Sequence, residues 1–293
     1  MIGEIAALTT ALCWAVAARM FRVLGRSFSP LLLNMWKGVA AIAILLLVTQ
    51  FILPPVLVDS NTLYWLLLSG VIGIGLGDTF FFQALNKIGD SQSILVAETL
   101  APLFTALLAM AWISEWLTWQ QWCGAALVLF SVDVIIKIQR RNELNVFDLS
   151  GYVYAGLAAL CQAIGAVISR DILTTVEIDA FNASQIRLIG GLVIIVLLML
   201  VTKQKWLPTT TNPKRTWLFF LGATVIGTFA ALYLQMVALT YSKAAIVQTL
   251  FATSVILSLV VAKVLGEKVQ SKTLIWSVLA LLGVAILIGS EYA

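Results

Sequence analysis

Apolar residues fill this chain in ten stretches of about twenty, approximately 3–21, 31–52, 62–85, 91–113, 119–137, 151–169, 180–201, 216–239, 244–265 and 272–289, with short polar punctuation between them. A bilayer core about 30 Å thick is crossed by about 20 residues of helix at 1.5 Å each. Lipid offers the backbone no hydrogen bonds, so such stretches cross as helices. The expected fold class is all-α integral membrane, with ten transmembrane helices. Only 11% of the 293 residues are charged and 61% are hydrophobic, whereas a soluble domain carries about 25% charged. A soluble enzyme, a nucleic-acid binder and a disordered scaffold are excluded. The lipid bilayer is an expected partner and nucleic acid is not.

Turn residues stand where the stretches end: Ser29-Pro30, Pro54-Pro55, Gly89-Asp90, Asn142 to Asn145, Pro208 and Pro213, and Gly266-Glu267. The first stretch carries Glu4 and no basic residue before its apolar run, so it reads as a retained helix. Catalytic chemistry has little to work with. There is no His, and Cys13, Cys123 and Cys161 stand apart, so zinc, haem and a His-based triad lack ligands or base. No catalytic residue, metal or cofactor is expected, and the cysteines read as small hydrophobes in helix packing.

The chain repeats itself. Ala11-Leu12-Cys13-Trp14-Ala15 returns as Ala159-Leu160-Cys161-Gln162-Ala163, and Trp65, Gly70, Gly75 and Gln83 return as Trp217, Gly222, Gly227 and Gln235. Glu98-Thr99-Leu100 returns as Gln248-Thr249-Leu250, and Glu115 as Glu267. Residues 1–139 are thus expected to form one five-helix unit, 140–150 a linker and 151–293 a second unit. An odd number of crossings makes the two units inverted. The charges fit: fourteen Lys and Arg follow helices 1, 3, 5, 7 and 9, against Arg170 and Lys243 on the other side. Positive loops face the cytoplasm, which gives both termini outside a plasma (inner) membrane. Tyr64, Trp65, Trp112, Trp116, Trp119 and Trp206 stand near helix ends, as interfacial belts do.

Two inverted units, each with an apolar helix, a Glu and another apolar helix, resemble the EamA-type drug/metabolite transporter superfamily. The likeness rests on Ala101-Pro102 to Ser114-Glu115-Trp116-Leu117-Thr118 with Gly124 beyond, and on Leu265-Gly266-Glu267 with Gly283 beyond. The second unit lacks the proline matching Pro102. The resemblance implies a ten-helix carrier of small metabolites, often amino acids or their relatives, working by alternating access. It also implies a central cavity lined by the first, third and fourth helices of each unit. Many members keep their termini in the cytoplasm, the reverse of the charge reading.

A charge inside the hydrocarbon costs about 2.5–3.5 kcal/mol on insertion scales, so it marks a functional candidate. Lys37, Asp78, Glu98 and Arg187 qualify. Asp78 and Glu98 stand ten residues either side of Ile88, at similar depth, and Lys37 enters from the same side, so the three are expected to meet in one layer. Arg187 has no acid at matching depth in its own unit and could hold a substrate carboxylate bidentately. Neutral polar repeat mates extend the substrate-binding set: Trp14 with Gln162, Gln83 with Gln235 and Glu98 with Gln248, joined by Tyr233. Asp133 and Lys137 read as an i, i+4 surface pair. Gly70, Gly73, Gly75 and Gly77, with Gly222 and Gly227, read as faces for close helix contact.

The expected function is secondary transport of a small molecule, first an amino acid or related zwitterion, with protons as one option for a coupling ion. The alternatives are a sugar or nucleotide-linked metabolite carrier and a non-transporting membrane partner.

Overall fold

The computed structural model describes residues 1–51, 58–139, 148–264, 266 and 271–289. The turn at Pro54-Pro55, most of the expected linker, and Glu267 lie outside the described residues. The ten spans are α1 (Ile2–Phe21), α2 (Pro30–Thr49), α3 (Ser60–Ile88), α4 (Gln92–Trp112), α5 (Trp119–Ile138), α6 (Leu149–Thr175), α7 (Ala180–Val201), α8 (Pro213–Tyr241), α9 (Ala244–Val264) and α10 (Lys272–Gly289). Each lies within a few residues of its expected stretch. Helix α6 starts two residues before its expected stretch, because the Asp148 carboxylate accepts the Ser150 N–H at 2.8 Å and caps it from outside.

Other spans begin the same way. Asp179 accepts the N–H groups of Phe181 and Asn182 at the start of α7, and Asn212 accepts that of Arg215 with Pro213 in the first turn of α8. Asp59 caps α3 through Asn61 and Thr62. Its bonding to the Thr62 side chain and then to the backbone holds its carboxyl below the usual range, and the Ser150 side chain does the same for Asp148.

Helical backbone runs on through the α3–α4 junction, yet the chain reverses there. Gly73, Gly77 and Ile88 of α3 pack on Gly165, Cys161 and Gly151 of α6, and so run antiparallel to it. Gln92 and Trp112 of α4 then bond Tyr152 and Asp171 of α6 in the same direction as α6. The mirror arrangement holds for the other half, where α1 packs antiparallel on α8, with Ala17 and Phe21 on Gly227. Each half therefore supplies the first helix that packs on the other half's third.

Small residues permit this, as expected. An added Cβ on Gly165 would stand 2.9 Å from the Gly73 Cα, and Gly124 of α5 meets Gly283 of α10 with the same closeness. Such stripes let backbones approach where no water drives packing. Asp133 and Lys137 pair at 2.7 Å near the end of α5. Of the cysteines, Cys161 is buried and Cys13 half-buried, whereas Cys123 is exposed and so does not pack inside.

Both third helices contain one wider turn of π-helix, Val71–Leu76 in α3 and Val225–Ala230 in α8. These turns stand at nearly equivalent positions of the repeat and both reach the central cavity. Single π-turns inside α-helices recur at functional sites.

Candidate functional site

A cavity of about 200 Å³ lies midway along the bundle between α1, α2, α3, α6, α7 and α8. Trp14, Lys37, Asp78, Gln162, Arg187 and Gln235 line it, so the structure brings together six of the ten residues singled out from sequence. They come from both halves of the chain.

Arg187 is the least expected member physically. It stands two turns into α7 and is only 3% exposed. Its Nη1 lies 3.4 Å from the Met236 sulfur, a weak acceptor, and its Nε has no partner. Among the described residues no carboxylate lies within ion-pair distance of it. Gly73 makes the room: a Cβ there would sit 3.3 Å from the Arg187 Nη2. A buried cation without a counter-ion costs several kcal/mol, and the sequence retains it in the wall of a cavity.

Lys37 and Asp78 face each other across the same space at 3.4 Å, with side chains 24% and 33% exposed. That is longer than the about 2.7–2.9 Å of a tight charge-assisted bond. Only Asp78 Oδ2 is engaged, so Oδ1 keeps its capacity to accept. Around these charges, the Gln162 amide donates to Gln248 Oε1 at 3.2 Å, while the Gln248 Nε2 is buried without a partner. Gln248 supports the wall from α9 rather than lining it. Trp14 rests edge-on against Phe251 at 4.9 Å.

Glu98, Gln83 and Tyr233 do not line the cavity. The expected layer of Lys37 with two acids is therefore corrected to Lys37 with Asp78 alone. Gln83 and Tyr233 are exposed, and helix phase explains both. Gln83 follows Asp78 by five residues, which turns it about 140° away at roughly 100° per residue. Tyr233 precedes Gln235 by two, about 200°, and its ring instead meets Phe181. Equivalence in the repeat did not guarantee equivalence of face, since Gln235 lies inside and its mate Gln83 outside.

Thr228 was not singled out, yet it lines the cavity with a buried, unpartnered hydroxyl. Its repeat mate is Leu76, so no paired polar signal marked it. Arg170 and Glu115 were seen only as a loop charge and a motif residue, and the structure joins them.

Their contact closes the bundle at the end where the chain starts. After α4, Ser114 takes a left-handed conformation (φ 54°), which turns the chain and presents Glu115 to α6. Arg170 donates to Glu115 at 2.6 Å and to the Leu239 and Thr240 carbonyls, and Glu115 accepts the Ala244 N–H at 2.9 Å. Lys243 adds a bond to the Trp116 carbonyl at 2.7 Å, and Ser242 donates to Glu4. Every one of these bonds except those from Arg170 to the α8 carbonyls joins the two halves. Glu115→Ala strands the half-buried Arg170 and is expected to cost about 3 kcal/mol. Thermal unfolding in detergent checks this, and Glu115→Gln should lose less because it still accepts.

Comparison with known proteins agrees with this architecture. The EamA-like transporter family matches residues 1–137 and again 149–289. A relative from Archaeoglobus fulgidus described as an uncharacterized transporter is 26% identical over 209 residues, 71% of each chain. A solved crystal structure covering 97% of this chain and 96% of its own has a TM-score of 0.76 at 18% identity, a likeness of fold. With two matches that together span nearly all of its length, ten membrane spans and a polar cavity between its halves, the chain belongs to the EamA-like transporter family.

Proposed function

We propose that this transporter is a secondary carrier for a small carboxylate-bearing metabolite, an amino acid or related zwitterion, which it moves across the plasma membrane by alternating access. One observation carries the reading: Arg187, buried at 3% exposure in the cavity wall, has an unpartnered Nε and, among the described residues, no acid within ion-pair distance. A guanidinium offers five donors in a planar fork that matches a carboxylate bidentately. Asp78, through the oxygen Lys37 leaves open, is the acceptor for an amine. Trp14, Gln162 and Gln235 close the remaining sides, and Gln248 holds Gln162 in position.

Size narrows the choice. A cavity of about 200 Å³ accommodates a small metabolite. A nucleotide-linked sugar is far larger, which speaks against that alternative.

For alternating access, the Glu115–Arg170 clasp would part so that the cavity meets the side it closes. The charge bias supports reading that side as the outside. Glu98 serves as a candidate proton carrier, since it is half-buried in α4 and no described cation pairs with it. Glu98→Gln is then expected to leave counterflow at equal pH within about twofold and to abolish the gain from a pH gradient. Uptake that still follows the gradient in this variant contradicts the assignment.

The test of the reading as a whole is counterflow in proteoliposomes with labelled amino acids, sugars and nucleobases. Saturable counterflow confined to carboxylate compounds is the expected result. Counterflow of sugars or nucleobases with carboxylates inert overturns it.

A further inference from the structure

The charges facing the cavity do not balance. Among its described lining residues three are ionisable: Lys37, Asp78 and Arg187. Lys37 and Asp78 offset each other at 3.4 Å. Arg187 stays charged at any pH relevant to a cell, and no described acid answers it. Glu98 does not line the space. The remaining polar atoms do not supply negative charge: the Thr228 hydroxyl is neutral and lacks a partner, and the Gln248 Nε2 behind the wall is a donor that lacks one.

An empty or water-filled cavity can tolerate one net positive charge through solvent, whereas a filled and closed one cannot do so cheaply. Charge buried within a membrane, where the effective dielectric is low, interacts strongly over several ångströms. A zwitterion sums to zero and leaves the +1 in place. A solute of net charge −1 cancels it.

We propose that the cavity selects small carboxylate solutes of net charge −1, and that Lys37 is the residue that sets this preference by neutralising Asp78 and leaving Arg187 uncompensated. An acidic amino acid meets the condition, with two carboxylates for Arg187 and Lys37 and an amine for Asp78. So does a monocarboxylic acid without an amine. Without Lys37, Asp78 and Arg187 would together match a neutral zwitterion. The inference rests on the reading of Arg187 as the carboxylate site and narrows the proposed solutes from amino acids and zwitterions in general to those of net charge −1.

Proteoliposome counterflow with four probes tests it: lactate and aspartate (both −1), alanine (0) and alaninamide (+1). In the wild type, lactate and aspartate are expected to exceed alanine by about tenfold or more, with alaninamide inert. Lys37→Met should swing the ratio of alanine to the anions upward by about tenfold or more, and Lys37→Arg should keep the wild-type ratio. Should Lys37→Met fail to fold, Asp78→Asn serves in its place, since raising the cavity charge should deepen the preference for anions. Alanine preferred over both anions in the wild type, or a ratio unmoved by Lys37→Met or by Asp78→Asn, overturns the proposal and leaves the carboxylate site intact. If no carboxylate probe moves in folded wild type, or if Arg187→Gln carries them as the wild type does, both readings fall.

Discussion

Arg187→Gln is expected to lose counterflow by about a hundredfold at low substrate while making the protein more stable. The first effect follows from removing charge-assisted hydrogen bonds, each worth about 1.5–3 kcal/mol, where 1.4 kcal/mol is tenfold in affinity. The second follows because the guanidinium is 3% exposed and has no counter-ion among the described residues, so its desolvation goes without compensation there. Activity and melting temperature should therefore move in opposite directions, as they do where a site is kept at the expense of stability. A purely structural arginine predicts that both fall together. Arg187→Lys retains the charge but not the fork, and is expected to recover little. Initial rates over a range of substrate concentrations, with thermal unfolding of the same preparations, separate these outcomes.

Gly190→Ala and Gly70→Ala are expected to prevent accumulation of folded protein. The seam between α3 and α7 is built on backbone contact: a Cβ at Gly70 would fall on the Arg187 carbonyl, and one at Gly190 on the Leu67 carbonyl. Neither obstacle is a flexible side-chain end that could swing away. The helices would have to separate, which costs more than the about 1–3 kcal/mol of ordinary overpacking. The same displacement would draw Arg187 out of the cavity wall. Gly222→Ala is the matched control, because its nearest neighbour is the mobile end of Met20 at 3.6 Å. Fluorescence-detected size exclusion of the three variants reads the difference, and equal monodisperse peaks for all three would contradict the account of the seam.

The architecture was legible because its causes are local and repeated. Each span needs about twenty apolar residues and a polar stop, and both are written in the chain. The inverted halves could be recognised from Gly70, Gly75 and Trp65 returning as Gly222, Gly227 and Trp217. The charged residues that line the cavity were also visible, since Lys37, Asp78 and Arg187 violate the composition of their helices.

Helix phase across the bundle was less accessible. The sequence gives depth along a helix well, but the side a residue faces depends on which neighbours pack against it and on the π-turns in α3 and α8, which shift the phase of everything after them. Gln83 and Tyr233 therefore face away from the cavity, and Glu98 does not line it beside Lys37 and Asp78. Thr228 has Leu76 as its repeat mate, so no paired polar residue marks it in the sequence. The Arg170–Glu115 clasp spans the two halves and 55 residues of sequence, and rests on a left-handed Ser114 that has no glycine to announce it.

The central claim is that Arg187 meets the carboxylate of the carried molecule inside the cavity. Equilibrium dialysis tests it most directly, using a labelled carboxylate compound that undergoes counterflow and purified wild type beside Arg187→Gln, both shown to be folded. Saturable binding to the wild type, weakened about a hundredfold in the variant, is the predicted result. Equal binding to the two proteins would contradict it.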